Sequence, residues 1–371
     1  MMQNLTRNLQ TLPGIPEESA QAYQDNLLFM VEQVNRIMNA RTDRDLLIGK
    51  NPVGMMLDNH RNHAAFMSNV FLFNQYELLL AVVPWVYRSY HNQGFAYAYF
   101  PVHLQAWRQV LAEHLPDQVN APLIQVYDWL LDNHEEFIAC SENTSFLNIQ
   151  ISAQWEDVVH RFVQAVLQGD RKSSLAISKE YVSGPEDLQE FYLQVIQPAM
   201  YLIGEKWEMG EISVAKEHLA SATVNRILAL QYLEFMPAVE PTKASILVTT
   251  AANEFHEMGA QMVANSLELD GWDVQYLGAN TPAQDLLDLV QEKQPLILAM
   301  SIAMPFNLEY AQQIIQHIQG WPAENRPRIM LGGLALQNMP ELAQVLGADG
   351  YARDCQQALD LAGKWYRENA A

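Results

Sequence analysis

The chain has 371 residues, enough for two or three domains at roughly 150 residues each, and its 49% apolar and 18% charged content is that of a globular protein. With 22 basic against 43 acidic residues, its net charge of −21 opposes a nucleic-acid-binding surface, which needs a stripe of Lys and Arg. Two cysteines exclude a disulfide framework and a thiolate zinc site. No apolar run approaches the ~20 residues of a membrane span, and no signal-peptide pattern opens the chain, so the expected location is cytoplasmic with no membrane partner.

Residues 1–150 read as helical, broken by Pro13, Pro16, Pro52, Pro84, Pro101, Pro116 and Pro122 into five or six helices. Aromatic residues are dense from Trp85 to Trp107, and six of the ten histidines precede residue 150. With 8 basic and 15 acidic residues, this region is no DNA-reading head.

Residues 151–240 read as four helices with apolar positions three and four apart, Val158, Phe162, Ala165 and Val166 in the first and Val214, Leu219, Val224 and Leu228 in the last. Such tightly joined helices predict an antiparallel bundle, and residues 236–241, with two prolines, a linker.

From 243 to 371 strands and helices alternate: strands at 244–250, 273–277, 296–301, 328–331 and 350–352, helices at 256–269, 282–291, 308–319, 340–346 and 355–369. Five strand–helix units predict a flavodoxin-like α/β domain with a parallel sheet, whose ligand lies beyond the C-terminal strand ends.

The first of those loops reads Asn253-Glu254-Phe255-His256-Glu257-Met258-Gly259. A carboxylate two residues before a histidine can accept one ring N–H, fix the tautomer and raise the basicity of the other nitrogen. Equally, Asn253 can cap the helix while Glu254 and Glu257 favour its N-terminus. Leu277-Gly278 follows the second strand, Ser301-Ile302-Ala303 the third and Gly332-Gly333 the fourth, while Tyr351 lies in the fifth.

On these residues the region resembles the cobalamin-binding domain of methionine synthases, mutases and corrinoid carriers. The family's D-x-H-x-x-G loop stands here with Glu254 for Asp, its S-x-L/T position ends in Ala303, and its G-G turn is Gly332-Gly333. The resemblance implies base-off binding, with His256 as the lower ligand of cobalt and the nucleotide tail beside Ser301, Gly332 and Gly333. Upstream, Trp207, nine residues, then Glu217-His218 resembles the W-x9-E-H motif of light-sensing adenosylcobalamin domains, whose four-helix bundle caps the upper corrin face. Trp207 is then a wall for the adenosyl group, and Glu217 and His218 are polar contacts. Light-dependent repressors of this type place a histidine directly after the tryptophan to capture cobalt after photolysis, where this chain has Glu208.

An acidic helical domain ahead of such a sensor resembles the photocobilins, which implies a roughly globin-like domain binding biliverdin. Candidate pocket residues are Trp85, Tyr97, Phe100 and Trp107 as walls, Arg88 or Arg61 for propionates and His103 or His63 for ring nitrogens, with Cys140 as a weak candidate tether and His60 and His63 read as surface. The expectation is a photoreceptor, not an enzyme, in which photolysis alters a homo-oligomer and signals to a downstream protein. The alternatives are a corrinoid methyl-carrier subunit of a methyltransferase system and a non-photochemical cobalamin-binding regulatory module.

Overall fold

The computed structural model describes residues 2–143, 149–235 and 240–370, so most of the expected linker, at 236–239, lies outside the described residues. By internal contacts the chain falls into two compact units, one of residues 1–148 with 208–211, the other of residues 149–207 with 212–371.

The first unit holds nine helices among the described residues rather than five or six: α1 (Met2–Leu9), α2 (Glu17–Asp25), α3 (Leu27–Asn39), α4 (Arg44–Ile48), α5 (Val53–Phe73), α6 (Glu77–Asn92), α7 (Tyr99–His114), α8 (Asp117–Asp132) and α9 (His134–Asn143). Two of the expected breakers lie in helix interiors, Pro84 in α6 and Pro122 in α8, and Pro101 lies in the first turn of α7. Pro84 and Pro122 each remove one backbone donor, but buried neighbours on the same helix, Val82 and Tyr87 in α6, Leu123 and Val126 in α8, hold the element by packing. Pro16, Pro52 and Pro116 do act as boundaries, each at an N-cap. Helix α7 packs against α3 and α8, and α6 against α9.

His60 is buried and His63 half-buried in this unit, not at the surface, with ring centroids 4.8 and 4.7 Å from that of buried His103. Burial pushes His60 down to about 4, and burial with the neighbouring His60 pushes His63 down to about 3. The unfolded chain takes up these protons near pH 6.5, whereas the folded imidazoles refuse them until well below, so folding stability falls as pH drops below 6.5. The full-length protein is expected to lose melting temperature between pH 7 and pH 4.5, with a shallower loss in His63→Gln. Parallel pH profiles for the two in circular dichroism would contradict the buried neutral histidine.

In the second unit, α10 (Glu156–Leu167) and α11 (Arg171–Tyr181) are joined by a turn whose Asp170 side chain caps α11, accepting from the backbone of Lys172 and Ser173. α12 (Pro185–Phe191) continues through a π-helical turn, Tyr192–Ile196, into α13 (Gln197–Glu208), and α14 (Val214–Phe235) follows. Their core is built from Val158, Phe162, Val166, Phe191, Ile196, Val224 and Leu228.

The sheet comprises β1 (Ser245–Thr250), β2 (Asp273–Tyr276), β3 (Ile297–Ser301), β4 (Arg328–Gly332) and β5 (Gly350–Tyr351), all parallel, in the order β2-β1-β3-β4-β5. Helices α15 (Met258–Leu269), α16 (Ala283–Lys293), α17 (Leu308–Gln319), α18 (Leu342–Val345) and α19 (Cys355–Ala370) connect or follow them. The strand order reverses between β1 and β3, so the crevice for a ligand opens beside the loops that follow these two strands. The helical segment meets the sheet domain within this unit: Asn265 Nδ2 of α15 donates to Tyr192 Oη at 3.0 Å, and Tyr232 Oη of α14 to Glu268 at 3.2 Å. Among the described residues no helix is long and apolar enough to cross a membrane, and Cys140 and Cys355 are buried free thiols.

Candidate functional site

The loop after β1 carries the sharpest chemistry. Helix α15 begins at Met258, not at His256, so residues 251–257 form a loop that presents the histidine. Glu254 is fully buried, and its Oε1 stands 2.6 Å from His256 Nδ1 and accepts from the His256 backbone N–H at 3.0 Å. Its Oε2 accepts from the backbone of Ala303 (3.0 Å) and Met304 (2.8 Å) and from Asn307 Nδ2 (3.1 Å). Burial alone opposes ionising this carboxyl, but the His256 hydrogen bond and charge and the backbone donors hold it below its usual range. The Glu254 hydrogen bond in turn raises His256 against the opposing effect of burial, with smaller help from the charges of Glu254 and Glu217. Replacement of the shorter Asp by Glu thus preserves the carboxylate–histidine pair.

With Nδ1 committed to Glu254, Nε2 is the nitrogen left for a metal, on a side chain that is 63% exposed. Phe255 beside it is 66% exposed. A Cβ added at Gly259, three residues beyond the histidine, would meet nothing within 4 Å, so the first turn of α15 has open space on that side. The reading of Asn253 as a helix cap is corrected: its backbone is left-handed (φ 62°), and Glu257 holds the N-cap position.

The other loops converge on the same edge. Gly332 and Gly333 lie where a Cβ would fall 2.8 Å from Ala352 O and 2.3 Å from Ile302 O, so the chain can make this approach only with glycine. Gly278 (φ 76°) faces Glu257, whose Oε2 would lie 3.2 Å from its Cβ. Leu277, Ser301, Ala303 and Tyr351 are half-buried there, and Tyr351 Oη is a buried atom with no hydrogen-bond partner among the described residues. A histidine nitrogen facing out, a glycine cradle and an orphaned hydroxyl are what a corrinoid with an inserted nucleotide tail needs, so the residues fit the group.

On the helical side, Glu217 Oε2 lies 2.6 Å from Nδ1 of the 74%-exposed His218, and Ser221 Oγ donates to Glu217 Oε1 at 2.6 Å. The charge of Glu217, in the first turn of α14, makes a small contribution to raising His256, and Trp207 is half-buried near the end of α13. Glu208, at the position of that capturing histidine, is buried in the first unit, where its Oε1 accepts from Trp85 Nε1 at 2.6 Å. That bond also commits Trp85.

The residues expected to line a biliverdin pocket have the following partners. Arg88 is buried and its Nε donates to Ser141 O at 2.9 Å; Arg61 pairs with Asp58 at the surface. Phe100 stacks on Tyr87 at 3.8 Å, and Tyr97 on His91 at 3.8 Å. Trp107 Nε1 donates to His103 Nε2 at 2.8 Å, and His63 Nε2 lies 3.1 Å from Tyr127 Oη. Aromatic rings gain by packing on one another, and these do so. Cys140 is buried and burial raises its thiol, which opposes a thiolate tether.

Residues 244–360 match the family model described as B12 binding domain, and residues 158–231 a second model of that description. Trimethylamine corrinoid protein 1 of Methanosarcina acetivorans is 22% identical over 214 residues, 57% of this chain and 97% of its own length. Dimethylamine corrinoid protein 3 of the same organism is 23% identical over 57% of this chain and 97% of its own length. A corrinoid protein of Desulfitobacterium hafniense is 21% identical over 54% and 94%. Among solved structures, the monomethylamine corrinoid protein of Methanosarcina barkeri covers 57% of this chain and 99% of its own at 15% identity, with a TM-score of 0.49. The chain thus carries B12 binding domains and is homologous to corrinoid proteins, which supports a corrinoid cofactor.

Proposed function

We propose that the chain is a corrinoid-binding protein that takes cobalamin base-off, with His256 Nε2 beneath the cobalt. The observation that carries this reading is the buried Glu254 carboxylate bonded to Nδ1 of an exposed histidine at the switch point of the sheet. When bound, the cofactor supplies a cobalt centre with an exchangeable upper ligand. Glu254 holds the Nδ1 proton, Gly332 and Gly333 would admit the nucleotide tail beside Ser301 and Tyr351, and Trp207, Glu217 and His218 would hold the group from the helical side.

Two uses of that centre follow. The named relatives, tri- and dimethylamine corrinoid proteins, support a methyl carrier in a methyltransferase system, which passes the group between partner proteins and is not itself the catalyst. This alternative has the more direct support from kinship. The second reading, a light sensor that binds adenosylcobalamin and changes its assembly on photolysis, is favoured by one physical feature. The cap carries a carboxylate and an imidazole, groups that a methyl ligand cannot engage but ribose hydroxyls can.

One comparison separates the two. Under the sensor reading, Trp207→Ala weakens adenosylcobalamin about 10-fold more than methylcobalamin, and green light changes the size-exclusion profile of the adenosylcobalamin-loaded protein. Equal losses for both ligands, with one profile in dark and light, assign the chain to methyl carriage. Failure of the wild type to bind either cobalamin would overturn both.

A further inference from the structure

Three asparagines from three different segments meet at the histidine loop, to which Asn253 itself belongs. Asn253 follows β1, Asn280 follows β2 and Asn307 precedes α17 after β3. Asn253 and Asn280 both have left-handed backbones, at φ 62° and 54°, a conformation that asparagine tolerates better than most side-chain-bearing residues. The backbone N–H of Asn253 donates to Asn280 Oδ1 at 2.8 Å. Asn253 Nδ2 donates to Asn307 Oδ1 at 3.3 Å, and Asn307 Nδ2 returns a bond to Asn253 O at 3.2 Å. Asn280 N lies 3.0 Å from both Thr250 Oγ1 and Glu254 O, and Thr250 Oγ1 donates to Glu254 O at 2.9 Å. The fully buried Asn307 also reaches the Glu254 carboxylate.

We propose that Asn253, Asn280 and Asn307 are positioning residues, a clasp across three segments that holds the His256 loop in its ligand-ready form before any corrinoid arrives. The inference rests on the corrinoid reading and deepens it. A loop with an exposed histidine and an exposed phenylalanine has little packing of its own to fix it. The clasp supplies that order: Asn280 bonds to the backbone of Asn253 and Glu254, and Asn307 bonds to Asn253 and to the Glu254 carboxylate, which in turn orients the imidazole. Order present before binding removes that cost from the binding step.

Asn280 is the residue to test, because its side chain bonds to the backbone of Asn253 and not to the imidazole or the Glu254 carboxylate. Asn280→Gly keeps the left-handed backbone available and removes the side-chain acceptor; Asn280→Asp keeps the acceptor. Two readouts are needed. The first is amide hydrogen exchange over residues 251–257 in the cofactor-free protein. The second is the dissociation constant for hydroxocobalamin.

The expected result is exchange at least ~10-fold faster and affinity ~10-fold weaker in Asn280→Gly, with both largely restored in Asn280→Asp and the melting temperature of all three proteins similar. Unchanged exchange and affinity in Asn280→Gly would overturn the clasp, as would a loss that Asn280→Asp does not repair. If the wild type does not bind hydroxocobalamin, the corrinoid reading fails, and the exchange measurement alone decides the clasp.

Discussion

His256→Ala is expected to abolish protein ligation of cobalt. In protein labelled with nitrogen-15 histidine, loaded with cobalamin and reduced to the paramagnetic cobalt(II) form, the electron spin resonance lines should split into doublets. A nitrogen-14 ligand gives triplets, so the cofactor's own benzimidazole and the protein's imidazole are told apart. In His256→Ala the doublets vanish and affinity falls by 100-fold or more, a larger loss than the 10- to 100-fold typical of removing a ligand's hydrogen-bond partner. The fold itself should tolerate the change, because the side chain is 63% exposed and Glu254 keeps Ala303 N, Met304 N and Asn307 Nδ2 as donors. Doublets that persist in His256→Ala would show that another histidine is the ligand.

The sheet domain was legible in the sequence because each strand is a short apolar run followed by a helix of period 3.6, and the expected strands and helices fall within a few residues of those observed. The Glu254–His256 pair was legible for a similar reason: both partners lie within one loop, two residues apart. The rest of the site depended on distance in the chain. Asn307 lies 53 residues from Glu254 and Asn280 27 residues from Asn253, and neither carries a local pattern that marks it. A left-handed backbone at Asn253 and Asn280 was the available signal, since Asn after a strand end favours that conformation.

The first unit was the least legible. Proline content suggested breaks at Pro84 and Pro122, where tertiary packing overrides the propensity. The spacing of His60 and His63 along α5 suggested a surface, yet both rings pack toward His103. Aromatic density did not distinguish a pocket wall from a core, and in this unit the rings stack on one another.

Two glycines on the edge proposed for the cofactor separate what the fold needs from what the ligand needs. At Gly333 (φ 100°) an added Cβ would lie 2.3 Å from Ile302 O and 2.6 Å from both Ile302 C and N. Those atoms are backbone, and Ile302 is tied by N–H donation to Gly332 O at 2.9 Å and by accepting from Ala335 N at 3.1 Å. Gly333→Ala therefore forces β3 and β4 apart as well as straining its own backbone, and should cost about 3 kcal/mol or more of stability in denaturant unfolding. Gly259 is the opposite case. It lies in the first turn of α15 with open space around the position of a Cβ, so Gly259→Ala should hold or raise stability, as alanine favours a helix by about 1 kcal/mol over glycine. If that open space belongs to the corrinoid, the same stable variant should bind cobalamin at least ~10-fold more weakly, because the methyl occupies room the ligand needs. A destabilised Gly333→Ala beside a stable but poorly binding Gly259→Ala is the expected pair. Full cobalamin affinity in Gly259→Ala would mean that the corrin ring does not approach this turn, and the ligand pose on the His256 loop would have to be redrawn.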